Sequence, residues 1–243
     1  MLAVAWALHE TGVGVGSLVD GRQGAIRLLD GLFPPETDSE LFRRVLTAVM
    51  ETLHISLAAL FFGALLGLPL AVAMAGNVGA PKWCGRLARM VAAGFRSVPE
   101  LLWALLFVAT VGLGPAAGVY AISLHAAGLL AKLGSEQLEA VDPAPVEAVR
   151  LTGAGPLTTT ALAIAPQARN GLASLLLYQW ECNIRSSAVV GFVGAGGIGQ
   201  ALGIALRLFR YAELATLLIA VLVVIVLVDQ LSRLVRRAMG AAS

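Results

Sequence analysis

Few side chains in this 243-residue chain can do chemistry, and most of those few interrupt apolar runs. Glu181 and Arg185 are four positions apart, which puts both on one face of a helix, and Arg96 and Glu100 repeat the spacing. Ionisable groups in an apolar segment are costly, so they pair, face a bundle interior or line a cavity. Two readings of Glu181 and Arg185 stay open. One is a structural ion pair; the other is a cationic Arg185 that, with Asn183, Ser186 and Ser187, lines the path of a polar anion. For Arg96 and Glu100 a structural or gating role is expected. His54 and His125 stand alone in apolar runs and read as packing residues, and Asp229 is expected to pair with a neighbouring arginine. The sequence offers no nucleophile–base–orienter set and no cluster of metal ligands, so neither a catalytic residue nor a metal site is expected.

The run Gly194-Ala195-Gly196-Gly197-Ile198-Gly199 satisfies G-x-G-x-x-G. A dinucleotide site needs a preceding strand, a βαβ unit and an acid about 20 residues on. Here an apolar helix precedes the run, and the next acid, Glu213, comes too early. The glycines read instead as a helix break with close backbone approach. Free N–H groups at such a break can cradle an anion, so Gly196, Gly197 and the following Gln200 join the candidate path. Packing of small residues between helices is the other reading.

The elements that must hold these residues are membrane spans. The chain is 58% hydrophobic and 13% charged, with a mean hydropathy of +0.83, whereas soluble domains carry about 25% charged residues. Apolar stretches place spans at about 52–75, 91–113, 116–133, 172–193 and 214–234. Lys82, Arg86 and Arg89 and the arginines at 233, 236 and 237 mark two ends on the cytoplasmic side. That count also puts the loop around Glu147 inside, and 11–44 and 194–211 outside. The net charge of +2 is too small to argue for nucleic acid. Cys84 and Cys182 read as packing residues. The apolar start, 1–8, is too short to span and lacks a basic flank, so it reads as the end of a further helix. Two regions result: 1–45, a partial helix and an outer-surface elbow with Pro34-Pro35 extended and caps at 37–39, and 46–243, a transmembrane domain with a cytoplasmic loop at 134–170. The fold class is all-α, a polytopic membrane helical bundle.

The polar interruption from Glu147 to Pro166 should be a helix, a turn and a helix. Asp142 can cap the first, with Pro143 and Pro145 in its first turn. Gly153 can end it in the left-handed conformation, and Pro156 suits the start of the next. The segment resembles the EAA loop of ABC-transporter permeases, E-A-A-x3-G-x9-I-x-L-P, with Glu147, Ala148, Gly153 and Pro166 at the family's spacing. Val149 replaces the second Ala, and Ala163 and Ala165 stand where Ile and Leu are usual. The resemblance implies that Glu147, Ala148, Arg150, Gly153 and Pro166 belong to a cytoplasmic helix that docks on an ATPase subunit.

Further segments resemble the phosphonate-type permeases over about residues 32–235: Arg96-Ser97-Val98-Pro99-Glu100-Leu101-Leu102-Trp103-Ala104, Gly112-Leu113-Gly114-Pro115, Leu124-His125, Asp142-Pro143, Glu181-x-Asn183-x-Arg185, and Val193 to Gln200. The Gly-rich element is shared with methionine-type permeases. The resemblance implies a type I ABC importer permease with about five to six transmembrane helices in the bacterial inner membrane. It would work with a second permease copy or paralogue, ABC ATPase subunits and an extracytoplasmic solute-binding protein, and it would carry a phosphonate, phosphite or phosphate ester. ATP and Mg would belong to the partner ATPase, since this chain has no GxxxxGK[ST] loop. Three alternatives stand beside it: an importer of methionine or another small metabolite, a stand-alone secondary transporter, and a nucleotide-binding oxidoreductase.

Overall fold

The computed structural model describes residues 30–240 apart from Thr37 and Ala80, together with Trp6, Glu10 and Ile26. The expectation for 1–8 and a cap at Thr37 lie outside the described residues. Within them all regular structure is helical: α1 (Ser39–Met74), α2 (Lys82–Ser97), α3 (Glu100–Val111), α4 (Pro115–Glu139), α5 (Pro143–Leu151), α6 (Pro156–Thr159), a π-helical turn (Thr160–Ile164), α7 (Ala165–Gly191), α8 (Gly197–Arg207) and α9 (Tyr211–Ala238).

α1 starts where Asp38 Oδ2 accepts from Glu40 N at 3.3 Å. Its 36 residues run about 54 Å, against an apolar layer of about 30 Å. The expected span at 52–75 is therefore the apolar part of a longer helix, whose first turns bury Leu41 and Val45 and expose Glu40, Arg43 and Arg44. α1 packs most extensively on α4 through small residues. A Cβ on Gly67 would stand 2.7 Å from the Ala127 carbonyl oxygen, and one on Gly63 3.0 Å from Ala126 Cβ. Backbones that close gain dispersion contacts that lipid cannot match.

The expected second span is broken. α2 and α3 meet at 84°, because Pro99 disfavours helical geometry at Val98, which is extended (ψ 122°). Arg96 and Glu100 therefore do not share a helix face. Arg96 ends α2 and Glu100 begins α3, each at the helix end whose dipole its charge suits, and neither forms an ion pair among the described residues. α1, α4 and α9 are each long and apolar enough to cross a membrane, and the bent pair adds at most a fourth crossing. α7 has 27 residues, the length for a fifth, with Glu181, Asn183 and Arg185 interrupting its apolar run.

The helices alternate in direction. At one end Asn77 Nδ2 donates to Leu138 O at 2.6 Å and Asn170 Nδ2 to Met239 O at 3.3 Å. At the other, Gly114 N donates to Gly194 O at 2.9 Å and Thr216 Oγ1 to Glu36 O at 2.7 Å. Large apolar side chains such as Phe61, Leu65, Leu222 and Leu227 point outward, as a bilayer solvent allows.

Candidate functional site

The loop at 140–166 folds as its residue chemistry dictates. Asp142 Oδ1 accepts from Ala144 N at 3.0 Å, and Pro143 opens α5. Gly153 turns the chain at φ 81°, a conformation that strains any residue with a Cβ. Pro156 opens α6. Pro166 has no N–H to return to the carbonyl four residues back, and the backbone widens into the π turn just ahead of it before entering α7.

α5 has two faces. Val146 and Val149 pack on Ala75, Val78, Leu138, Ala163, Ile164 and Ala168. Glu147 and Ala148 point outward, beside Leu151 and Leu157, each 83% exposed. An exposed acid and two bare leucines thus lie on the loop between α4 and α7. The leucines escaped the motif reading, although Leu151 falls off the three-residue spacing of Val146 and Val149 and so had to face away from the bundle. Arg150 turns back from that side, its Nη2 donating to Asn77 O at 2.7 Å.

Among the path candidates, Glu181 and Arg185 form no ion pair, the first of the two readings left open for them. Glu181 Oε1 accepts from Arg236 Nη2 at 2.5 Å, with side chains 12% and 22% exposed. α9 packs along α7 and brings in Arg236, a partner that spacing within one helix cannot reveal. Asp229 pairs with Arg233 at 2.5 Å, as its neighbours suggested. Arg185 is left exposed, with Nη2 3.6 Å from Cys182 Sγ. With Glu181, Ile184, Val228 and Asp229 it lines a cavity of about 250 Å³.

Asn183 and Ser187 are buried within the chain. Asn183 Oδ1 accepts from Gln179 Nε2 at 2.9 Å, and its Nδ2 donates to Ser56 O at 3.3 Å. With Trp180 Nε1 donating to Ser56 Oγ at 3.1 Å, these bonds fasten α7 to α1. Ser186 is half-buried. His54 is exposed on α1 and does not pack inside; His125 is half-buried.

The glycine run breaks as expected, with φ 93°, 82° and 69° at Gly194, Gly196 and Gly197. The sequence reading did not foresee that the chain then forms α8. Thr52 Oγ1 accepts from Ile198 N at 2.8 Å and pins the new helix to α1. Glu51 stands beside the turn, since a Cβ on Gly196 would meet its Oε1 at 2.9 Å. Gly197 and Gln200 open onto a groove of about 540 Å³ shared with Glu40, Arg43, Arg44 and Glu51. Arg44 is partly neutralised by Glu40 at 3.4 Å; Arg43 makes no ion pair among the described residues. The structure thus joins Gly197 and Gln200 to the charged end of α1 and leaves Arg185 on a separate surface. Arg43 lies in the segment read as an outer-surface elbow and Glu51 just ahead of the expected first span, and neither stood out as a site residue.

Residues 63–241 match the family described as binding-protein-dependent transport system inner membrane component. The chain is 36% identical over 221 residues to the phosphite transport system permease protein PtxC of Stutzerimonas stutzeri, covering 91% of this chain and 80% of that protein. It is 35% identical over 233 residues to the phosphate-import permease protein PhnE of Mycolicibacterium smegmatis, covering 96% of this chain and 43% of that protein. Its fold superposes on a chain of the inward-facing MetNI methionine ABC transporter with TM-score 0.75 and 25% identity, over 84% of this chain and 99% of that one. An all-helical bundle with an exposed loop helix at one end and a glycine break at the other fits that company, and with a match over well more than half its length the chain belongs to the family of binding-protein-dependent transport system inner membrane components.

Proposed function

We propose that this chain is the permease subunit of an ATP-driven importer of phosphonate, phosphite or phosphate-ester anions in the bacterial inner membrane. The observation that carries the coupling half is α5, a capped helix fixed to the bundle by Val146 and Val149 while Glu147, Ala148 and Leu151 face outward. That face would seat on a cytoplasmic ATPase subunit, which would hold ATP and Mg. At the opposite end, a solute-binding protein would release its anion toward the groove of Arg43, Gln200 and Gly197. The anion would then cross between this subunit and a second permease copy or paralogue. An arginine exposed at mid-span is costly in lipid, so Arg185 would face that shared path.

The identity to a phosphite transport permease supports the anion class. A stand-alone secondary transporter needs a buried carboxylate free to couple ions, and Arg236 holds Glu181. The test is reconstitution in vesicles with the ATPase and the binding protein, measuring ATP-dependent uptake of labelled phosphite and methylphosphonate. Uptake of either anion is expected, with methionine as a poor competitor. Uptake without ATPase, or of methionine alone, would refute the reading.

A further inference from the structure

The turn at 75–79 exchanges hydrogen bonds with α4 and α5, and α2 bonds the residue just ahead of it. Arg150 Nη2, on α5, donates to Asn77 O at 2.7 Å. Asn77 Nδ2 donates to Leu138 O in the last turn of α4 at 2.6 Å. Gly76 N donates to Glu139 Oε1 at 2.7 Å, and Arg89 Nη1, on α2, donates to Met74 O at 3.1 Å. Ala75 and Val78 are buried in one cluster with Leu138 and Val146.

α1 and α4 are closed on each other by the glycine–alanine seam and must move together. By contrast α5 meets the rest of the chain covalently through two short links, 140–142 and 152–155, the second holding Gly153 and Gly155. A cavity of about 270 Å³ bordered by Asn77, Arg150, Ala154 and Pro156 leaves α5 room to shift. A push on α5 can therefore be absorbed in its links unless something ties the helix to the turn. Gln167 Oε1 accepts from Asp142 N at 3.1 Å and steadies the first link; besides that bond and the apolar packing, the tie to the turn is the charge-assisted bond of the exposed Arg150, whose guanidinium reaches back to Asn77 O.

From this geometry we infer that Arg150 is a positioning residue: by gripping the Asn77 carbonyl, it carries displacements of α5 to the joined ends of α1 and α4. The inference rests on α5 being the ATPase-docking helix. It assigns Arg150 to transmission within this chain and not to contact with the partner.

The test uses the assembled transporter in vesicles, with Arg150→Ala, Arg150→Lys and Asn77→Ala, the last of which removes the Leu138 bond but keeps the carbonyl that Arg150 grips. Three quantities are read: ATPase retained on purification, ATP hydrolysed per anion taken up, and the unfolding temperature. Arg150→Ala should keep its ATPase and its ATP hydrolysis while the ATP-to-anion ratio rises about tenfold or more, the size expected for losing a charge-assisted hydrogen bond. Arg150→Lys should rise less, since an ammonium can still donate one bond, and Asn77→Ala should rise in the same direction. Loss of the ATPase from Arg150→Ala would make the residue a docking contact and overturn the inference. So would an unchanged ratio with a lowered unfolding temperature, the mark of a purely structural role. Should Arg150→Ala not assemble in the membrane, an unchanged ratio in both Arg150→Lys and Asn77→Ala overturns it equally. Glu147→Lys separates the two readings: if it leaves ATPase binding intact, the docking of α5 has failed, whereas failure of the transmission appears only in the ratio.

Discussion

Breaking the Glu181–Arg236 pair should cost more than removing it. The two side chains are 12% and 22% exposed and bond at 2.5 Å between α7 and α9. Glu181→Gln strands the Arg236 guanidinium between two helices, and Arg236→Gln strands the carboxylate. Losing one partner of a fully buried pair costs about 3–5 kcal/mol; partial exposure here lets water or a neighbouring arginine offset some of it, so about 2–3 kcal/mol is expected for each single change. The double change Glu181→Gln/Arg236→Gln leaves two neutral groups that can share a hydrogen bond. It should be at least about 1 kcal/mol milder than the sum of the singles, a coupling typical of contacting residues. Glu181→Gln/Arg185→Gln is the control and should be additive, because Arg185 lines the same cavity as Glu181 but makes no ion pair with it. The assay is reversible unfolding of the purified protein in micelles, with each variant measured at matched detergent concentration. Additivity of Glu181 with Arg236, or coupling of Glu181 with Arg185, would refute the pairing and restore the spacing argument that first joined 181 to 185.

Gly67→Val should loosen the bundle by about 1–3 kcal/mol, as overpacking does, because its Cβ would press on the Ala127 carbonyl oxygen at 2.7 Å. Gly94→Ala, where nothing lies within 4 Å, should be neutral or slightly stabilising; unfolding midpoints decide, and equal effects would remove the seam argument. In a chain lacking Cys84 and Cys182, a cysteine at Ser39 should react with an impermeant thiol reagent in intact cells while cysteines at Ala140 or Ala238 stay shielded, following the basic residues near 82–89 and 233–237. Labelling at 140 from outside would invert the topology. Arg185→Gln should depress anion uptake while the ATPase stays bound, and Arg185→Lys should keep part of it; wild-type uptake by Arg185→Gln would take that residue off the path.

Local chemistry was readable wherever one stretch of chain decides its own shape. Asp142, Pro143, Gly153 and Pro156 set the helix, turn and helix of the loop without help from the rest of the molecule, and all four sit as their types require. The glycine break at 194–197 is of the same kind. What stayed hidden depends on contacts between helices. Val98 and Pro99 held the information for the 84° bend, yet a hydropathy window averages over them and reports one span. Glu181 shows the limit most clearly: its neighbour in sequence, Arg185, lies on the same helix at a favourable spacing, but a partner 55 residues away is the one that holds it.

The same contrast explains why the two ends of the bundle differ in how their chemistry is distributed. At the loop end the exposed face is one helix, so Glu147 and Ala148 carry its signature in the sequence itself. At the groove end the face is assembled from the start of α1 and the start of α8, more than 140 residues apart. Arg43, Glu51 and Gln200 meet there because Thr52 captures the Ile198 N–H just past the break, and that bond is possible only because Gly196 and Gly197 hold positive φ. A side chain on Gly196 would collide with both Glu51 and Pro115. The glycines that look like a nucleotide motif thus act as a hinge point of assembly: they let α8 fold back against α1, and in doing so they bring a charged helix end and a helix start to one groove.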